Sequence, residues 1–148
     1  SERSRGLGDV YKRQFFRLMS FRIIQLENLE VFVKEDGKNI SLSFNDAFIK
    51  KTMDDAEEKT LWKQNGSIEL KNINNKVGIF LSNFNIASIS VSYDFYTYKN
   101  ILILPFLKKG DIEVTFNDDK EMKNIKCNEI EILLVDKPEY IKHIKKTE

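Results

Sequence analysis

Few side chains in this sequence carry groups able to do covalent chemistry. The single histidine, His143, lies in the charged tail IKHIKK, and the single cysteine, Cys127, alternates with Ile125 on an apolar face. A Ser-His-Asp or Cys-His arrangement needs a base positioned against its nucleophile, and a tail histidine is a poor base of that kind. His143 therefore reads as an ordinary exposed side chain. One Cys and one His also fall short of the ligand sets that hold zinc. Cys127 reads as a small packed hydrophobe, since free cysteine is among the most buried residue types. No glycine-rich phosphate loop is present, and no cofactor is expected.

The carboxylates form two clusters: Asp54, Asp55, Glu57 and Glu58, then Asp118, Asp119 and Glu121. Oxygen ligands of this kind suit calcium, yet neither cluster has the EF-hand spacing with its central Gly and distal Glu. Both read as solvated charge. A glycosidase would need two facing carboxylates at a set separation, which these spacings do not specify. The aromatic group is more informative: Trp62, Tyr93, Phe95, Tyr96 and Tyr98. On an extended strand Tyr93 and Phe95 point one way, Tyr96 and Tyr98 the other. Trp62, Tyr93, Tyr96 and Tyr98 are thus the candidate binding residues, as a platform that stacks a sugar ring or anchors a protein partner. Core packing beneath a covering segment is the competing reading.

These side chains must be positioned by strands. Ile86 to Phe116 holds the densest run of β-branched and aromatic residues, with Ile89, Val91, Tyr93 and Phe95 alternating with Ser90, Ser92, Asp94 and Tyr96. Ile101 to Leu104 is apolar at every position, as in a strand covered on both faces, and ends at Pro105. Lys108-Lys109-Gly110 reads as a turn before the alternation of Ile112, Val114 and Phe116. Upstream, Asp36-Gly37 marks a hairpin from Val31 to Phe44, and Asn65-Gly66 marks a second between Leu61 and Leu70. Asn45 to Thr60 is predicted to be a surface excursion with one or two helical turns. Val77, Ile79 and Leu81 read as a short strand, and Ile125, Cys127, Ile130 and Ile132 to Val135 as the last strands. Pro138 to Lys146 is predicted to be a short amphipathic helix. About eight short strands predict an all-β fold, an antiparallel β-sandwich, with a small β-barrel as the alternative.

Ser1 to Gln14 stands apart. Its segment RGLGDVYKRQ, Arg5 to Gln14, resembles a translated sequencing-adapter read-through. Four of the five arginines precede Met19, whereas eighteen lysines follow it. Met19 is therefore the expected native start, with 1–18 a non-native or disordered leader and 19–148 one domain. The full chain carries 24 basic and 23 acidic side chains; without the five basic and two acidic residues of 1–18 the formal charge is −2. That balance gives no reason to expect nucleic-acid or anionic-membrane binding. No apolar run approaches the roughly 20 residues of a transmembrane helix. With no signal-peptide pattern after Met19 and one cysteine, a cytoplasmic location is expected.

The succession LSFNDAFI (Leu42 to Ile49), LWKQNGSIELKNI (Leu61 to Ile73), ILILPF (Ile101 to Phe106) and EIEILLVDKPEYI (Glu129 to Ile141) resembles small bacterial proteins of unknown function from AT-rich Gram-positive genomes. The resemblance implies a bacterial, cytoplasmic all-β protein and carries no catalytic residues with it. The sequence thus points to a non-enzymatic interaction module, binding a protein partner or itself. A carbohydrate-binding sandwich is second and a carboxylate-based hydrolase third.

Overall fold

The computed structural model describes residues 21–52 and 59–144. The leader, the cluster Asp54, Asp55, Glu57 and Glu58, the middle of the anticipated excursion and residues 145–148 lie outside the described residues.

The described chain runs through eleven strands: β1 (Arg22–Gln25), β2 (Leu29–Asp36), β3 (Asn39–Thr52), β4 (Lys59–Lys71), β5 (Asn75–Val77), β6 (Asn83–Ile86), β7 (Ser88–Tyr93), β8 (Tyr96–Lys99), β9 (Ile101–Leu104), β10 (Leu107–Asn117) and β11 (Met122–Ile144). All join one antiparallel sheet in the order β6-β2-β3-β4-β11-β10-β7-β8, with β1 linking β3 to β9 and β5 added to β11. The sheet curls into a half-barrel. Register breaks at Phe44/Ala47 in β3, Lys109/Ile112 in β10 and Val135/Glu139 in β11 supply the bends, since each extra residue sharpens the local twist. Ala87 then joins β6 to β7 from distant places in the strand order, and its N–H donates to Asn117 O at 2.8 Å.

Alternation decides what lies inside. Ile40, Leu42, Phe44, Ile68, Leu70, Ile89, Val91, Ile112, Val114, Phe116, Ile125, Cys127, Ile130 and Ile132 are all buried in one core. Side chains of this size stabilise by roughly 1.5–3 kcal/mol each on full burial. Phe80, Phe84 and Phe116 close one end through edge-to-face contacts 5.8–6.4 Å apart. The same end holds Lys123, 2% exposed, whose ammonium meets Asp118 and Glu121 and lies 4.8 Å from the Phe84 ring centroid. Burial alone would lower the Lys123 pKa, but hydrogen bonds to Asp118 and Glu121 outweigh it and leave it raised. The bond from Lys123, with the N–H groups of Glu121 and Lys120, holds the Asp118 carboxyl down at about 2.

The all-β antiparallel expectation is met, and the Val31–Phe44 hairpin pairs those two residues directly. Its loop is Gly37-Lys38, one residue on from the anticipated Asp-Gly centre, because Asp36 pairs with Asn39. Four other expectations are corrected. Asn65-Gly66 is no turn: β4 passes straight through it, and Gly66 fits because a side chain there would strike Leu133 O and the Phe44 ring. The Asn65 amide oxygen instead accepts the Asp46 N–H at 2.9 Å, bracing the β3 bulge. Up to Thr52 and again from Lys59, the anticipated excursion is strand. Over Pro138 to Ile144, the described part of the anticipated C-terminal helix is the distal part of β11: Tyr140 packs edge-on to Trp62 at 5.3 Å, and Pro138 sits in the register break where no N–H is needed. Lastly, β9 is covered on one face alone, with Ile101 and Ile103 exposed, and Ile79 and Leu81 also face outward while Phe80 packs inward.

Candidate functional site

The sheet brings three of the four candidate aromatics together by a route that simple alternation does not anticipate. Tyr93 to Tyr98 is not one strand. Tyr93 pairs with Tyr96 and Val91 with Tyr98 across a two-residue turn, Asp94-Phe95. Partners directly opposite on an antiparallel pair share a face, so Tyr93, Tyr96 and Tyr98 all lie on the face of Val91. The opposed orientation of Tyr93 against Tyr96 and Tyr98 is thereby corrected. On the other face, Ser92 and Thr97 hydroxyls meet at 3.1 Å and fix the same register.

The turn itself is unusual in its residues. Among the described residues seven non-glycine positions have positive φ: Asn28, Asp46, Asn72, Asp94, Asn100, Asp136 and Phe95. Six are Asn or Asp, whose short side chains tolerate the left-handed region; Phe95, at φ 64°, is the exception. With Asp94 at φ 52°, both central residues have the signs of a type I′ turn, which favours Asn-Gly. Phe95 is also wholly exposed, at 109% of its reference area. A large apolar ring is thus held in water, in a backbone conformation it disfavours.

Behind the tip, the tyrosines meet the start of β10. Tyr96 is 60% exposed and lies 4.6 Å from Tyr98, centroid to centroid. Tyr98 stands edge-on to the buried Phe106 at 5.3 Å, and both Tyr93 and Tyr98 pack against the core. Lys108 extends over three rings at once: its Nζ is 5.8 Å from Tyr93, 5.8 Å from Tyr98 and 5.7 Å from Phe106. Gly110 makes room for this arrangement, because a Cβ at that position would come within 3.2 Å of the Tyr93 ring.

A groove of about 760 Å³ runs beside the hairpin, lined by Ser92, Tyr93, Asp94, Phe95, Lys109, Gly110, Asp111, Glu113, Lys126 and Asn74 among others. Lys108-Lys109-Gly110, anticipated as a turn, is instead strand, and β10 runs through it into the bulge between Lys109 and Ile112 that shapes this groove. Both signs of charge face it, with Glu113 and Lys126 paired at 3.8 Å. Among the described residues no group of three or more His, Cys, Asp or Glu side chains is placed to hold a metal ion. Cys127 lies behind the groove, buried, with its thiol pushed up by burial to about 11.

Trp62 is not part of this assembly. It sits on β4, with β11 and β10 between it and β7, and its Nε1–H donates to Thr60 Oγ1 at 2.8 Å. A small hollow of about 120 Å³ beside it is lined by Arg22, Ile49, Lys51, Gln64 and Pro138. His143 lies on β11 opposite Thr60 and is partly buried. The residues that sequence reasoning missed are Phe106, Lys108 and the role of Phe95 as a tip. One signal was present: residue types mirror about Asp94-Phe95, with Tyr93 against Tyr96 and Ser92 against Thr97. No family model, curated protein or solved structure matches the chain.

Proposed function

We propose that this chain is a non-enzymatic binding module that engages a protein partner through the β7–β8 hairpin. The sheet curls into a half-barrel with one apolar core, and the β7–β8 hairpin ends its strand order; a β-sandwich is the finer architecture we propose for this scaffold. Phe95 carries the reading. Its ring gains nothing by burial within the chain and its backbone costs roughly 1–2 kcal/mol in the left-handed region. Inserted into a partner's pocket, the ring would recover roughly 1.5–3 kcal/mol, and buried aromatic anchors of this kind dominate interface energetics. The groove behind it offers Lys109, Lys126, Asp94 and Asp111 as a polar rim.

The test places a photo-crosslinking residue at the exposed Thr97 and irradiates the native host cells. A discrete protein adduct that disappears when Phe95→Gly is added supports the reading. Adducts indifferent to Phe95, in a variant that still melts cooperatively, refute it.

Carbohydrate binding is the second reading, favoured by Phe95 and Tyr93 in one groove with Asn74, Asp94 and Asp111, an apolar face beside polar groups. A saturable calorimetric response to a sugar that is lost on Phe95→Gly would favour it over a protein partner.

A further inference from the structure

We propose that Tyr93, Tyr98 and Phe106 form an aromatic cage for cations, that Lys108 occupies it from within the chain, and that a small quaternary ammonium ion takes the place of Lys108. Three rings converge on one ammonium, each 5.7–5.8 Å from Lys108 Nζ. Ring faces carry negative potential and attract a cation within about 6 Å. Among the described residues no carboxylate is paired with Lys108, and its ammonium meets the negative faces of three neutral rings.

The cage is built rather than incidental. Phe106 is buried at 4% exposure, and its carbonyl accepts the Ile132 N–H at 3.0 Å, fixing the floor. Tyr93 and Tyr98 are held by the β7–β8 register, and Gly110 leaves the space into which Tyr93 fits. Lys108 alone is a flexible member, a long side chain that is partly exposed.

A primary ammonium keeps three N–H donors that want water or an acceptor, and the ring faces it lies over are poor partners for them. A quaternary ammonium has no donors and sheds its hydration cheaply, which is why aromatic cages are used to recognise choline and methylated lysine. The ligand class is therefore a trimethylammonium group, free or at the end of a short chain. The cage shares Tyr93 with the groove behind the Phe95 tip but does not use the Phe95 ring, so its failure leaves the Phe95 proposal standing.

The experiment compares the full chain with Lys108→Ala, titrating tetramethylammonium, choline and Nε-trimethyl-lysine while following the tyrosine ring resonances by NMR. Lys108→Ala is expected to bind at least about tenfold more tightly than the parent, because the internal competitor is gone; tenfold is about 1.4 kcal/mol. Tetramethylammonium alone identifies a bare cation site; tighter choline or trimethyl-lysine binding identifies what the chain end adds. Adding Tyr98→Leu to Lys108→Ala should abolish the gain. No saturable shift in a cooperatively melting Lys108→Ala, or equal binding by the parent, overturns the proposal. Should Lys108→Ala fail to fold, the parent decides: the Lys108 ε-methylene protons must show upfield ring-current shifts, and ordinary shifts overturn it.

Discussion

Replacing Phe95 with glycine should make the protein more stable, against the usual outcome of deleting a large aromatic residue. The ring is 109% exposed and contributes no burial, so its removal forfeits nothing inside the molecule. Phe95 adopts φ 64°, where a Cβ-bearing residue is penalised by roughly 1–2 kcal/mol and glycine is not. Glycine restores part of that cost through its freer unfolded chain, roughly 0.5–1 kcal/mol. The net gain is then about 0.5–1 kcal/mol. For a domain of roughly 120 residues the entropy of unfolding is about 0.25 kcal/mol/K, so the melting midpoint should rise by about 2–4 °C. Pairing it with Asp94→Asn gives the preferred Asn-Gly sequence for this turn and should add to the rise. Differential scanning calorimetry at two protein concentrations measures it. A lower midpoint for Phe95→Gly would refute the reasoning, because the ring must then be held by contacts within the chain. A midpoint that falls with dilution in the parent alone would show that Phe95 anchors a second copy.

Gly66→Ala should destabilise by about 1–3 kcal/mol or more, since the added methyl group meets the Leu133 carbonyl and the Phe44 ring, and a backbone atom cannot yield as a side chain can; urea unfolding measures it. Asp118 has a folded pKa of about 2 against an ordinary 3.8, so its ionised form favours folding. Its contribution is complete well above 3.8 and is lost progressively as pH falls through about 2; the gap in melting midpoint between parent and Asp118→Asn should be open at pH 6, narrow steadily below about pH 4 and close only below about pH 2. Cys127 has its thiol raised from 9.0 to about 11, so the neutral thiol favours folding. That contribution is complete below about pH 9 and fades as pH rises towards 11, and native protein at pH 8 should resist iodoacetamide until denaturant is added.

How much was legible depended on whether a signal was local. Period-two patterns around Ile40, Ile68, Ile112 and Ile125 determined strands and their inward faces, because a one-residue slip would turn a whole apolar set into water. The same patterns determined the all-β class and the burial of Cys127. Tertiary structure decided the rest, wherever a local preference met a stronger long-range one. Asn65-Gly66 has turn chemistry, yet β4 is paired on both sides by β3 and β11, and Gly66 serves their close approach. Pro138 and its neighbours suit a helix end, but Tyr140 on Trp62 and Glu139 beside Lys63 at 3.6 Å commit them to the sheet. The candidate site shows the limit most clearly. Tyr93, Tyr96 and Tyr98 were visible as an aromatic group, but their common face comes from a turn at Asp94-Phe95 that Phe95 itself disfavours, and their lysine and fourth ring are Lys108 and Phe106, at and just before the start of β10. Cross-strand pairing on either side holds that turn closed, and such pairing exists nowhere in the sequence until the chain has folded.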